Sequence, residues 1–175
     1  MTYVASTLAR VDSAWFGDDV SLDDVEDLDG VVELVREVVG DDAETGLLFV
    51  EQDDEWFAVL RIDPDGDPRV FVSDARAVAS SEIAAMLAEG AIEVSAEDVA
   101  DEVDDDEDVE DEDDEPNVLA DGDPAGDSGL LSDLGTSAPR LLALCAEEGA
   151  LPADIIAALC EAAGCLDVLE KLRGE

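Results

Sequence analysis

The stretch from Gly46 to Asp74, GLLFVEQDDEWFAVLRIDPDGDPRVFVSD, constrains the fold more than any other part of the chain. Three short apolar runs separated by two turn signals form the pattern of a three-stranded β-meander. Leu47 to Gln52 and Glu55 to Ile62 flank Asp53-Asp54, which tolerate left-handed backbone angles and suit a two-residue hairpin loop. With that loop, Val50 is expected opposite Phe57 and Leu48 opposite Val59 on one side of the sheet. The other side then carries Leu47, Phe49, Trp56, Ala58, Leu60 and Ile62, so both faces are apolar and both need cover. The second turn, Asp63 to Pro68, combines two prolines with Gly66 and leads into a third strand, Arg69 to Val72.

Upstream, Tyr3 to Arg10 is rich in β-branched and small residues and reads as a first strand. Trp15 and Phe16, beside Gly17, suggest a hairpin-like return or a lid over the core. The segment SLDDVEDLDGVVELVREVVG then sets Leu28, Val32, Val35 and Val39 at helical spacing. Acids crowd its start, where the helix dipole favours them, and Gly40 is placed to cap its end. A strand, a helix and a strand in succession imply a crossover, so the first strand and Leu47 to Gln52 are expected to run parallel. Beyond the meander, Asp74 is placed to cap a helical stretch to about Glu89, with Ser80 or Ser81 as a restart point and Ile83, Met86 and Leu87 as its apolar stripe. The expected class is α+β: a small mixed-sheet domain over residues 1–92 in the order β-α-β-β-β-α.

Asp101 to Glu115, DEVDDDEDVEDEDDE, has too few apolar groups to offset its own charge repulsion. Pro116, Gly122, Pro124 and Gly126 extend this region, giving an expected disordered acidic linker over 93–127. A helical module is expected over 128–175. Leu130, Leu131 and Leu134 precede Gly135, and Thr136 or Ser137 caps a helix with Pro139 in its first turn. Pro152 opens a second helix with Ile155, Ile156, Leu159 and Cys160 on its apolar side, and Leu166, Leu169 and Leu172 mark a third. So short a module rarely sustains its own core, so it should dock on the sheet domain, on a second copy, or on a partner.

The formal net charge is −42, from 50 acids against 8 bases. A chain with so few cations has little with which to neutralise phosphates, so direct nucleic-acid binding is not expected, and anionic membranes are disfavoured. A basic protein partner, a salt-adapted surface or simple solubility fits the charge better. Outside 93–127 there are still 31 acids against 8 bases, so the excess is general as well as local. Cys145, Cys160 and Cys165, an odd number with no secretion signal, point to reduced thiols and a cytoplasmic location.

Histidine is absent, which removes Ser-His and Cys-His nucleophile pairs and any His-containing zinc site. The Cys160-x4-Cys165 spacing is no zinc-ribbon pattern, and such cysteines ordinarily pack as small hydrophobes. Asp63-x-Asp65-Gly66-Asp67 lacks the continuation of a calcium loop, since Pro68 follows, and Asp121-Gly122-Asp123 reads likewise as a turn. No phosphate-cradling glycine motif is present. No cofactor or metal is expected.

Three passages together resemble a known family: LDDVEDLDG (Leu22 to Gly30), FVEQDDEWFAVLRID followed by DPRVFVSD, and DLGTSAPRLLALCAEEGALPADIIAALCEAAG (Asp133 to Gly164). They are similar to the tRNA adenosine deaminase-associated proteins of high-GC Gram-positive bacteria, a family named for its gene neighbourhood with the enzyme that converts the wobble adenosine of tRNA to inosine. The deaminase itself uses a His-x-Glu and a Pro-Cys-x-x-Cys, neither of which occurs here, so no catalytic residue carries over.

The resemblance implies a non-catalytic cytoplasmic accessory protein whose partner is the deaminase. Its acidic surface would steer toward a basic one. By residue type, Trp15 and Trp56 are the best interface anchors, although a central-strand Trp56 also suits core packing. Asp53, Asp54 and Glu55 would supply charge at an exposed turn, and Leu141 and Ile155 would supply apolar contact. Rival expectations are a nucleic-acid-mimicking inhibitor acting through the acidic stretch, a self-associating structural protein with a homodimer, and an enzyme built on carboxylates.

Overall fold

The first strand turns back on itself before any helix forms. In the computed structural model, which describes residues 3–64, 66–89 and 124–174, β1 (Tyr3–Val11) folds through Asp12 and Ser13 into β2 (Ala14–Asp19). Both turn residues have positive φ, 49° and 66°, as the right-handed twist of a two-residue hairpin requires. Trp15 and Phe16 therefore lie in the hairpin return that the sequence suggested.

This hairpin overturns the expected parallel pairing. Helix α1 (Leu28–Val39) leaves from the end of β2, not β1, so the crossover relates β2 to β3 (Thr45–Gln52). Those two strands run in the same direction on either side of β1, and β1 pairs antiparallel with both. With β4 (Trp56–Ile62), β5 (Arg69–Val72) and β6 (Ala125–Gly126) the sheet has the order β2-β1-β3-β4-β5-β6, and every neighbouring pair is antiparallel. The fold is α+β, but the sheet is antiparallel rather than mixed, and its first six elements run β-β-α-β-β-β.

The β3–β4 register also differs from the expected one by a residue. Asp53 and Asp54 have positive φ, 51° and 56°, and Glu55 N–H donates to the Gln52 carbonyl at 3.0 Å, so the anticipated turn residues form the turn. Glu55, however, is left out of the ladder as an extra residue. Gln52 pairs with Trp56, Val50 with Ala58 and Leu48 with Leu60. Because side chains alternate, one extra residue moves all of β4 against its partner.

The sheet has two buried faces. On one, Leu48, Val50, Trp56, Ala58 and Leu60 pack beneath α1, α2 (Ala77–Ser80) and α3 (residues 82–89). Asp27 caps α1 by accepting from Gly30 N–H at 2.8 Å, which places Gly30 in the first turn, and Val31, Val32, Val35 and Val39 are its buried side. Ser81 restarts the second helical stretch: its Oγ accepts from Ala84 N–H and donates to the buried Gln52 Oε1 at 2.6 Å.

On the other face, Leu47, Phe49, Phe57, Val59 and Phe71 meet the C-terminal helices α4 (Ala138–Ala146), α5 (Pro152–Ala163) and α6 (Leu166–Arg173). Ser137 caps α4, with Pro139 in its first turn, and Pro152 opens α5. Gly135, at φ 100°, closes the short 3-10 turn Ser132–Leu134; a Cβ there would meet the Ala162 carbonyl oxygen at 2.7 Å. The module docks on its own sheet.

Most of the expected linker, 93–127, lies outside the described residues, as does Asp121-Gly122-Asp123. Residues 124–127 are described and join the sheet. Ala125 and Gly126 pair with Val72 and Phe71, and Asp127 N–H donates to Val70 O at 2.9 Å while its carboxylate accepts from Arg69 at 2.6 Å. Arg61, read from sequence only as part of an apolar strand, is buried on this second face. Its guanidinium forms a fork with both oxygens of Asp133, donates to the Leu130 carbonyl at 2.6 Å, and reaches Asp63 at 3.1 Å. One side chain thus ties the C-terminal segment to the central strand.

Candidate interaction surface

The loop between β2 and α1 and the outer side of α3 enclose an open groove of about 620 Å³. Positions 82, 85, 86 and 89 recur at the spacing that keeps helical side chains on one face, so α3 contributes Glu82, Ala85, Met86 and Glu89 together. Leu22, Val25 and Ile83 complete an apolar floor with Ala85 and Met86, while Asp23, Glu26, Glu82 and Glu89 form an exposed acidic rim. The loop is held in place: Tyr3 Oη accepts from Leu22 N–H at 2.8 Å and donates to Asp23 at 3.0 Å, and Ser21 Oγ donates to the other Asp23 oxygen at 2.9 Å. Among the described residues no lysine or arginine lines the groove. Its chemistry suits a ligand that is apolar on one side and cationic at its edges.

None of the seven residues singled out from sequence lines this groove. Trp56, Leu141 and Ile155 are buried, the first beneath the helices of the first face and the other two between the C-terminal helices and the sheet. Their contacts are within the chain. Trp15 is half-buried at the edge of the second core, its indole nitrogen near Gly164. Asp53, Asp54 and Glu55 are exposed at the β3–β4 turn, and Glu55 and the edge of Trp56 border a second depression of about 380 Å³ with Asp74, Arg76, Ala77 and Ser80. In the sequence, Leu22, Asp23, Val25 and Glu26 read as part of the family-like passage LDDVEDLDG, and Ile83 and Met86 as a core stripe. The signal that marks them as a surface is the pair of acids at 82 and 89, one on each end of the same helical face.

Electrostatics sharpen the acidity. Among the described residues, five of the seven arginines are engaged by carboxylates: Arg10 with Glu44, Arg61 with Asp63 and Asp133, Arg69 with Asp127, Arg76 with Asp74, and Arg173 with Glu51. Hydrogen bonds from Arg61 hold the Asp133 carboxyl below the usual carboxylate range, and those from Arg76 do the same for Asp74. The Arg61 guanidinium is correspondingly pushed up, chiefly by Asp133.

The cysteines have a structural account. Gly164 takes a left-handed conformation, its N–H donates to the Glu161 carbonyl, and Cys165 N–H donates back to the Cys160 carbonyl at 2.9 Å. This closure of α5 ordinarily brings the side chains now occupied by Cys160 and Cys165 into contact. Both are buried; the Cys160 thiol hydrogen-bonds Cys165, which with burial raises its pKa. Burial alone pushes Cys145 up to about 11. All three thiols are free. Among the described residues no group of His, Cys, Asp and Glu side chains could hold a metal ion, and no helix is long and apolar enough to cross a membrane.

A family model described as Rv3753c-like tRNA adenosine deaminase-associated protein matches residues 3–166, from β1 to the first turn of α6, and the chain belongs to that family. No curated protein and no solved structure matches it.

Proposed function

We propose, from membership of this family, that the protein is a non-catalytic accessory of tRNA adenosine deaminase that acts in the cytoplasm by binding a basic surface of the enzyme. The observation that carries the reading is the disposition of charge. With most arginines committed to internal ion pairs, the groove rim and the β3–β4 turn present carboxylates outward. An enzyme that handles tRNA must carry cations where it meets the phosphate backbone, and complementary charge accelerates encounter and fixes orientation.

Titration calorimetry of the full chain against the deaminase from the same source, at low and moderate salt, tests this. Saturable binding that weakens by about tenfold or more as salt screens the charges is expected. The absence of heat at micromolar concentrations in both buffers would exclude direct association.

A further inference from the structure

We infer that the groove between the β2–α1 loop and α3 is a docking site for a basic amphipathic helix of a partner protein. The inference rests on the reading above for the partner's identity, but its chemistry stands on the groove itself. Half-buried Val25 and Ile83 offer apolar contact above the buried Leu22 and Met86, and the rim carboxylates flank them on both walls. Among the described residues none of Asp23, Glu26, Glu82 and Glu89 has a cationic partner, so their charge is available to a ligand. The described part of α3 is roughly 12 Å long at 1.5 Å per residue, which matches about two turns of a docked helix. An amphipathic helix laid in such a groove presents apolar side chains at every third and fourth position and places lysines or arginines at the two margins.

Charge also decides between occupants. Glu93 to Glu115 of this chain contains neither Lys nor Arg, so the rim repels it. A second copy carries the same net charge of −42 and meets the same obstacle. A cationic partner converts that repulsion into attraction.

The test uses the isotope-labelled full chain and a synthetic leucine–lysine peptide of about four helical turns, followed by amide chemical shifts and calorimetry. Shifts are expected to concentrate at Leu22, Val25, Ile83 and Met86. In the double variant Glu82→Lys/Glu89→Lys affinity should fall by about tenfold or more, whereas the equal change of charge in Glu147→Lys/Glu148→Lys, on the opposite module, should cost less than about threefold. Ala85→Trp, which fills the floor without altering charge, should also abolish the localised shifts. Equal weakening by both double variants, shifts scattered over the acidic surface, or no binding would overturn the inference. A peptide that seats in the groove while the deaminase does not bind would leave the docking site standing and remove the proposed partner.

Discussion

The two faces of the sheet are closed in different ways. The first is covered by α1, α2 and α3, which lie within residues 28–89 and are joined to the strands they cover by short connections. Its sheet contribution is largely aliphatic, and among the described residues the acidic groove lies between α3 and the β2–α1 loop. The second face carries Phe49, Phe57 and Phe71, with the rings of Phe57 and Phe71 tilted at 43° and 6.1 Å apart, and among the described residues it is covered by those from 124 onward. That cover is fastened by β6, by the Arg69–Asp127 pair and by the buried Arg61 fork. Cover that arrives from far along the chain needs larger side chains and a directional anchor to fix where it lands, because its loop-closure entropy must be offset by the docking itself. Cover from a neighbouring helix needs neither and can leave an edge free for a partner.

Neighbouring substitutions on one strand break this comparison most sharply. Phe57 and Leu60 sit in β4 on opposite faces, both fully buried. Phe57→Ala should lower unfolding stability by about 4 kcal/mol and Leu60→Ala by about 3 kcal/mol, as measured by urea denaturation. If the faces form one cooperative unit, far-UV circular dichroism and tryptophan fluorescence will report a single coincident transition in each variant. A separate early transition in Phe57→Ala alone would show that the C-terminal cover opens independently.

Arg61→Ala comes next, at about 2 kcal/mol, because it leaves the Leu130 carbonyl without its donor while Asp133 recovers water. Arg61→Lys should recover little, since an ammonium cannot reproduce the two-pronged contact. Stability equal to the parent protein would show that the aromatic core positions the cover without an anchor.

The smallest effect is a dependence on pH. Asp133 has a folded-state pKa depressed by Arg61 below its unfolded value, ordinarily about 3.9. Its contribution is therefore fully present above that value and is lost as pH falls through the folded one. The urea midpoint of Asp133→Asn should lie below that of the parent protein at pH 6 and converge on it as the medium is acidified below about pH 4. A gap that persists unchanged in acid would assign Asp133 a role other than charge.

Much of this architecture was legible because local chemistry decides it. Asp27 and Gly40 bracket α1, Pro152 and Gly164 bracket α5, and Asp53-Asp54 mark a turn, each through backbone preferences that act within a few residues. Strand direction was not local. Whether β3 meets β1 parallel or antiparallel depends on where the chain stands when α1 begins, and Asp12-Ser13 had already reversed it. The omission of Glu55 from the ladder was equally hidden, since Glu55 and Trp56 could each have paired with Gln52. Among the candidate contacts, residue type pointed to tryptophans and leucines, and for the same reason it selected Trp56 and Leu141, which the core uses. The groove is not legible in sequence because its floor looks like core and its rim like ordinary solvent-facing acid. Only the fold brings the two together.

The pairing of β6 with β5 attaches the C-terminal segment to the sheet by main-chain hydrogen bonds as well as by side chains. Were the backbone cut between 89 and 124, the described part of the second core would become an interface between two polypeptides, with the two-residue strand and the Arg61–Asp133 fork crossing it. Strength of attachment could then be read as a dissociation constant between two fragments.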